Sequence, residues 1–290
     1  MNQTLLKNIS YAPSARSLPA QTLIRTIENA TGRHRLLLRA RAQMSAPDAG
    51  HAFWCNMMQV YGLKLELTRG TLDHIPDKGP LVMIANHPFG ILDGLVMGYL
   101  LDRMRGDFRI MAHSAFRGAP EVARAILPID FSGTREAEKA NLRTRAEAIS
   151  YLRAGGAVGI FPGGTVSTAQ RPFQRPADPR WRMFSARMIQ RSGATVVPIW
   201  FDGANSRLFQ LASRLNYTLR MALLIREFKT RVNRPVRMAI GRPIGPDQLA
   251  RFHGQPKEMM DFLRAATYGM ADAPIDPMQL GYEFEGVYRH

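Results

Sequence analysis

The chain has 290 residues, 46% of them hydrophobic, and its 39 Lys and Arg against 23 Asp and Glu give a formal net charge of +16. This composition is that of a globular protein and argues against disorder, and the basic excess predicts an acidic partner: nucleic acid, anionic lipid, an acidic carrier protein or a phosphorylated cofactor. Cys55 is the only cysteine, which excludes an internal disulfide and a cysteine-based zinc site, and no window holds the roughly 18 unbroken apolar residues of a membrane span. The first 21 residues lack the basic-then-apolar pattern of a secretory signal, so the expectation is a cytoplasmic protein, soluble or attached to a membrane surface.

In chain order, residues 1–18 read as irregular. Leu18–Ala30 and His34–Ala42 read as short helices parted by Thr31-Gly32, and Ala46–Gln59 as a third. Leu63–Thr68 alternates apolar and polar residues, as a strand does; "IPDKGP" is a turn; Leu81–Ala85 has the unbroken apolar character of a buried strand. Leu92–Arg105 reads as a helix, Phe108–Ala112 as a strand, Glu121–Ala125 as a helix and "ILPID" as a strand. Thr134–Ala154, rich in Ala, Glu, Arg and Leu and closed by Gly155-Gly156, is the clearest helix. "AVGIFP" is a strand, "GGTVST" a loop, Asp178–Ser192 a helix and "ATVVPIWF" a strand. Ser206–Lys229 reads as mostly helical, "VRMAIGRPI" as the last strand, Pro246–Phe252 and Pro256–Gly269 as helices, and the remainder as a tail.

Strands alternating with helices predict an α/β fold: a central sheet flanked by helices, with an N-terminal helical layer. The expected division is residues 1–62, a helical region that is a candidate for membrane or substrate docking, and 63–290, which carries the chemistry. Leu81–Ala85, Ala157–Phe161 and Thr195–Ile199 have the composition of central strands. Ligands collect at the carboxyl ends of such strands, and three unusual loops follow them: Asn86–Gly94, Pro162–Thr168 and Asp202–Arg207.

In the first loop, "NHPFGILDG", a histidine precedes an aspartate. A histidine can take a proton from a hydroxyl, and a carboxylate on its far nitrogen would fix its tautomer and stabilise the imidazolium. No Ser or Cys stands in this loop as a nucleophile, so a His87–Asp93 pair reads as a general base acting on a substrate hydroxyl. The alternative is that His87 caps a helix and Asp93 is polar surface. In "FPGGTVS", adjacent glycines allow backbone N–H groups to approach a phosphate or an oxyanion; the alternative is a plain Gly-Gly turn. It is not a Walker A loop, since the spacing is short and the lysine absent.

Together these loops resemble the glycerolipid acyltransferases, the lysophospholipid acyltransferase superfamily, whose signature is Asn-His-x4-Asp. "IPDKGPLVMIANHPFGILDG", then "FPGGTVS", then "VVPIWFDG" repeat that family's order of motifs over roughly residues 70–244. "NHPFG-x-x-DG" and "NSRLFQ" (Asn205–Gln210) resemble its hemolysin-like or lyso-ornithine-lipid branch. The resemblance implies acyl transfer from a thioester on acyl carrier protein or coenzyme A to a lysolipid hydroxyl, with no bound cofactor and no metal. His87 would deprotonate the hydroxyl, Asp93 would orient His87, and Asn86, Gly90, Arg135, Gly163, Gly164 and Thr165 would contact substrate.

The chain departs from the family pattern twice. Five residues, not four, separate His87 from Asp93, and the extra one must be absorbed in the Pro88-Phe89-Gly90 turn. The common third motif, Phe-Pro-Glu-Gly-Thr-Arg-Ser, has Gly163 in place of its Glu and Val166 in place of its Arg. Losing that arginine removes a bidentate phosphate partner and favours an acceptor without the phosphate, such as lyso-ornithine lipid. Arg135, and more weakly Arg117, Arg171, Arg175 and Arg207, are candidates to replace it.

A lipid acceptor implies contact with an anionic membrane surface, placed at the cytoplasmic face of a bacterial inner membrane. Arg207–Lys229 and Arg33–Met44 are candidate basic amphipathic helices; the alternative for each is a core-facing stripe with a solvated basic face. The altered motifs also motivate a non-catalytic lipid- or carrier-binding protein on the same fold. Nucleic acid is not an expected partner, because no nucleic-acid motif stands out and aromatics are not interleaved with basic residues as in strand-binding proteins.

Overall fold

A computed structural model describes residues 10–15, 17–43, 52–113, 120–130 and 133–284. Seven strands form one sheet: β1 (Lys64–Arg69), β2 (Leu81–Ala85), β3 (Arg109–His113), β4 (Ile126–Ile129), β5 (Ala157–Ile160), β6 (Thr195–Phe201) and β7 (Pro235–Ile240), in the order β1-β7-β6-β2-β5-β3-β4. Only β6 and β7 pair antiparallel; every other neighbouring pair is parallel. The three strands expected at the centre, β6, β2 and β5, lie side by side there, so their three following loops leave the same edge of the sheet.

The central strands are apolar on both sides because both faces of the sheet are covered. Alternate residues of β2 serve two different cores. Leu81, Met83 and Ala85 pack with α2 (Arg33–Gln43), α3 (Ala52–Val60) and α4 (Ile91–Arg105). Val82 and Ile84 pack with α6 (Arg135–Arg153), α7 (Met183–Ser192), α10 (Pro246–Ala250) and α11 (Pro256–Tyr268). The short helix α5 (Pro120–Ala125) leads into β4. A third cluster joins α1 (Leu18–Thr31), α8 (Arg207–Leu215) and α9 (Tyr217–Arg231), around Ile24, Phe209, Ala222 and Leu224. Gly98 shows how the N-terminal layer joins the core: a Cβ there would lie 2.2 Å from the Trp54 ring, so only glycine lets α3 settle on α4.

Several boundaries differ from the sequence reading. The helix expected from Asp178 starts at Met183, because Asp178 and Pro179 belong to a buried anchor described below. The helix expected over Ser206–Lys229 breaks at Asn216, whose side chain accepts from the N–H groups of Thr218 and Leu219 and starts α9 afresh. Of Ala46–Gln59, the part before Ala52 lies outside the described residues. The expected tail is stitched down: Gly281 N–H donates to Asp178 O, Tyr282 N–H to Thr168 O, and Arg182 pairs with Glu283 through two bonds of 2.9 and 3.0 Å.

Candidate active site

β2 ends in Asn86 and His87. The Asn86 side chain extends the β2–β6 ladder: its Nδ2 donates to Phe201 O at 2.9 Å and its Oδ1 accepts from Phe201 N–H at 2.7 Å. The residue is only 2% exposed, and both ends of its side-chain amide are taken up by Phe201. Asn86 locks the first loop to the third.

The chain then turns through Pro88-Phe89-Gly90 into α4. Gly90 takes φ 87° and ψ −109°, a conformation reserved in practice for glycine, and that turn absorbs the additional residue between His87 and Asp93. Asp93 is 0% exposed, so the reading of it as surface polar fails. It, and not His87, caps α4. Its Oδ2 accepts from Phe89 N–H at 2.8 Å and Gly90 N–H at 3.0 Å, and the same oxygen lies 3.0 Å from His87 Nδ1. Burial pushes the Asp93 carboxyl up, while the bond and charge of His87 and the two amides pull against it.

The His87 side chain is 17% exposed and its ring stacks on Phe161, with centroids 4.2 Å apart. A carboxylate at Nδ1 holds the proton on that nitrogen and leaves the lone pair on Nε2. Two fixed contacts, one at the ring face and one at the ring edge, therefore aim Nε2.

The second loop is tied to the first through the backbone of His87. Ser167 N–H donates to His87 O at 2.7 Å, and His87 N–H donates to Asp178 Oδ1 at 3.1 Å. That Oδ1 also accepts from Ser167 Oγ at 2.5 Å, while Asp178 Oδ2 accepts from Trp181 Nε1 at 2.9 Å. The Asp178 N–H donates in turn to the hydroxyl of Tyr268, and Arg264 donates to Asp178 O. Asp178 is 0% exposed and holds the main chain on which the imidazole sits. Sequence reading passed over it as the first residue of a helix; its one signal was a Pro at 179 and an Ala-Asp-Pro turn beside the loop.

The glycines have packing roles. Gly164 N–H closes a turn on Phe161 O at 3.0 Å, so it is not a free oxyanion donor, and a Cβ on buried Gly163 would lie 3.1 Å from Asp178 Cβ. Thr165 does not stand free: its hydroxyl accepts from Arg220 at 2.9 Å. Arg220 also donates to Thr168 Oγ1 at 2.6 Å and to Val166 O at 2.7 Å. Where the family pattern has an arginine, at Val166, a guanidinium thus arrives from α9. The candidates named for that role lie elsewhere. Arg135, Arg171 and Arg207 are exposed; Arg135 stands at the start of α6, after an edge strand. Arg175 donates to Ala273 O, and Arg117 lies outside the described residues. The signal for Arg220 was a single cation inside the apolar run "LRMALLI".

The third loop closes the group. A Cβ on Gly203 would lie 2.8 Å from the Phe89 ring, and the Arg231 guanidinium covers that ring at 4.2 Å while Nη2 donates to Ala204 O. Among the described residues no group of three or more His, Cys, Asp or Glu is placed to hold a metal.

An imidazole aimed from the carboxyl edge of a sheet, with a buried carboxylate behind it, is an arrangement able to take a proton from a hydroxyl. Comparison with known proteins shows what the chain is similar to. Residues 67–202, which hold all three loops up to Asp202, match the family model described as Acyltransferase. A lyso-glycine lipid O-acyltransferase of Phocaeicola vulgatus is 23% identical over 204 residues, 68% of this chain and 70% of that protein. Another, from Bacteroides thetaiotaomicron, is 23% identical over 210 residues, 68% of this chain and 72% of that protein. The solved 1-acyl-sn-glycerophosphate (LPA) acyltransferase PlsC of Thermotoga maritima covers 88% of this chain and 86% of its own at 15% identity, with a TM-score of 0.42. Residues 67–202, just under half of the chain, are thus similar to the acyltransferase family, and the chain is similar to lipid O-acyltransferases along most of its length.

Proposed function

We propose that the protein is a peripheral membrane O-acyltransferase. It moves a fatty acyl chain from an acyl thioester, on acyl carrier protein or coenzyme A, to the hydroxyl of a lysolipid. The two relatives are named for a lyso-glycine lipid, which favours an amino-acid lysolipid such as a lyso-glycine or lyso-ornithine lipid over 1-acylglycerol-3-phosphate. The observation that carries the reading is the 3.0 Å contact between His87 Nδ1 and a buried Asp93. That contact answers one of the two motives for a non-catalytic protein, the lengthened spacing; the altered third motif is the other.

In this mechanism His87 Nε2 takes the proton of the acceptor hydroxyl as its oxygen attacks the thioester carbonyl. Collapse of the tetrahedral intermediate breaks the C–S bond, and the imidazolium returns the proton to the departing thiolate. No acyl-enzyme is needed. The hydroxyl of Ser167 on the facing loop donates to Asp178, and Asp93 holds the imidazolium without taking its proton.

A bilayer substrate requires a surface that meets lipid. Among the described residues no helix is long and apolar enough to cross a membrane. Helix α8 instead turns Leu208, Leu211 and Leu215 outward, 50%, 48% and 80% exposed, on an arc of about 60° with Arg207 and Arg214 along one edge. Ala169 N–H donates to Gln210 Oε1, which ties this helix to the loop beside His87. Loop residue Phe173, 88% exposed between Arg171 and Arg175, and Leu18 and Leu23 on α1 within the 1–62 region, are further apolar contacts for a bilayer. The cytoplasmic face of a bacterial inner membrane supplies the anionic lipid that a +16 protein favours.

The test is acyl transfer from labelled acyl carrier protein and acyl-coenzyme A to a panel of lysolipids. His87→Ala is expected to lower turnover by about 10²- to 10⁴-fold with the fold retained; turnover like the wild type ends the proposal. Flotation with anionic and neutral vesicles tests the membrane reading, which fails if the protein floats with neither.

A further inference from the structure

Residues 277–284 lie beyond the segment that matches the acyltransferase family, yet they back both main-chain ties of His87. The His87 N–H donates to Asp178 Oδ1, and its carbonyl accepts from Ser167 N–H. Gly281 N–H donates to Asp178 O at 2.8 Å, and Tyr282 N–H donates at 2.9 Å to the carbonyl of Thr168, the residue after Ser167. The fit is close. A Cβ on Gly281 would lie 1.8 Å from Ala177 O and 2.7 Å from Thr168 O, so only glycine lets the chain pass there.

Two fastenings hold this strap. Arg264, 2% exposed on α11, donates to Pro277 O at 2.6 Å and Gln279 O at 2.9 Å, and also to Asp178 O at 3.0 Å and Pro179 O at 3.1 Å. It thus joins the start of the strap to the anchor of His87. The other fastening is the pair of Arg182 and Glu283, whose side chains are only 18% and 14% exposed. A two-bond pair of guanidinium and carboxylate, largely shielded from water, fixes direction as well as distance. Arg182 N–H donates to Pro162 O at 3.0 Å, so this clasp is seated on the first residue of the second loop. Phe284, next to Glu283, covers the Arg220 guanidinium at 4.1 Å, and Arg220 bonds Thr165, Val166 and Thr168 of the same loop. None of residues 281–284 belongs to the hydrophobic clusters of the fold. Their bonds gather around the supports of His87, so releasing them takes little from the core.

We infer that Glu283, through its pair with Arg182, is a positioning residue for His87. The clasp closes residues 281–284 over Asp178 and Thr168, and the closed strap holds the main chain of the imidazole from both sides. With the clasp open, Asp178 and the Ser167–Thr168 peptide lose their backing, and Nε2 loses its aim at the acceptor hydroxyl. The inference rests on the acyl-transfer reading, and it adds that the rate depends on a carboxylate 101 residues beyond its partner arginine.

Two measurements test it on the full chain. In the first, Glu283→Arg and Arg182→Glu each set like charges against one another, and the double variant restores the pair in reverse. Each single variant is expected to lower kcat by about 10- to 100-fold with KM for the lysolipid changed less than twofold, because the reacting groups are misaligned while the lipid still binds. The double variant is expected to recover most of that loss. Wild-type kcat in Glu283→Arg, a loss confined to KM, or a double variant no better than the singles overturns the inference. A lower melting temperature with kcat unchanged would mean that the strap only adds stability, and overturns it as well.

The second measurement needs no turnover. Amide hydrogen exchange in Glu283→Arg is expected to quicken at Tyr282 and at Ser167, whose N–H bonds His87 O, while the strands β2, β5 and β6 stay protected as in the wild type. Unchanged protection at Ser167 overturns the inference. A protein whose exchange responds in this way but which acylates no lysolipid would keep the strap and fail the acyl-transfer reading.

Discussion

The turn that carries His87 and the loop that faces it do related work by opposite means. From His87 to Asp93 everything comes from one short stretch: imidazole, carboxylate, helix cap and the glycine that lets them meet. The loop over residues 163–168 holds almost nothing by itself. Its position is set by Asp178, by Arg220 from α9 and by Tyr282 from the stitched-down tail. The comparison teaches that the His87–Asp93 pair is a local device seated in a remote frame. Damage to the first should cost rate, and damage to the second should cost rate and stability together.

The sharpest way to break that distinction is Asp93→Asn. The amide oxygen can still accept from Phe89, Gly90 and His87 Nδ1, but it brings no negative charge to stabilise the imidazolium formed when Nε2 takes a proton. Turnover should fall by about 10²- to 10⁴-fold. Because burial raises the Asp93 carboxyl, ionising it in the folded protein works against stability. That contribution is favourable below the carboxyl's unfolded pKa and is lost as pH rises through its raised folded value. The variant should therefore melt no lower than the wild type at neutral pH, and the difference in its favour should grow as pH rises from acid. Melting curves from acid to neutral pH, read beside the activity, would contradict the sign if the variant lost ground as pH rose.

Asp178→Ala strikes the frame. It leaves His87 N–H, Ser167 Oγ and Trp181 Nε1 without their acceptor in a buried site, and about 3 kcal/mol of stability should go with it. Denaturant unfolding measures this; a loss of rate with stability intact would move Asp178 to the local device. Gly90→Ala lies between the two classes. A Cβ at φ 87° would be strained by about 1–3 kcal/mol and would meet Val166 Cγ2 at 3.2 Å, so both turnover and melting temperature should drop, more gently than for Asp178. Asn216→Ala should cost about 1 kcal/mol through the lost cap of α9, the helix that delivers Arg220, with turnover changed less than fivefold. A large loss of turnover there would show that the frame tolerates less movement than its bonds imply.

Much of the fold was legible along the chain. The strands Leu81–Ala85, Ala157–Ile160 and Thr195–Phe201 announce themselves by unbroken apolar runs, because strands covered on both faces leave no position for water. The three loops at their ends, and the pair His87 and Asp93, were legible because the residues that make the contact are six apart. What was misread has one cause. Arg207–Lys229 looked like a single basic amphipathic helix, yet Asn216 divides it into α8, whose leucines face out, and α9, whose arginine at 220 faces in. Periodicity shows that a helix has two faces but not which one a neighbour will cover. Asn86, Gly163 and Gly164 stand in the right motifs, but only their contacts show that they fasten loops together.

By itself, then, the sequence determined the α/β architecture, which strands are central and which loops follow them, and the pairing of a histidine with a carboxylate. These depend on local periodicity and short-range geometry. Only the tertiary structure decided that the extra residue is absorbed at Gly90, that Asp178 anchors the His87 main chain from 91 residues away, and that the Arg220 guanidinium reaches the loop at Val166. The physical reason is that a buried polar group must find partners wherever the fold brings them, and sequence distance places no limit on that search.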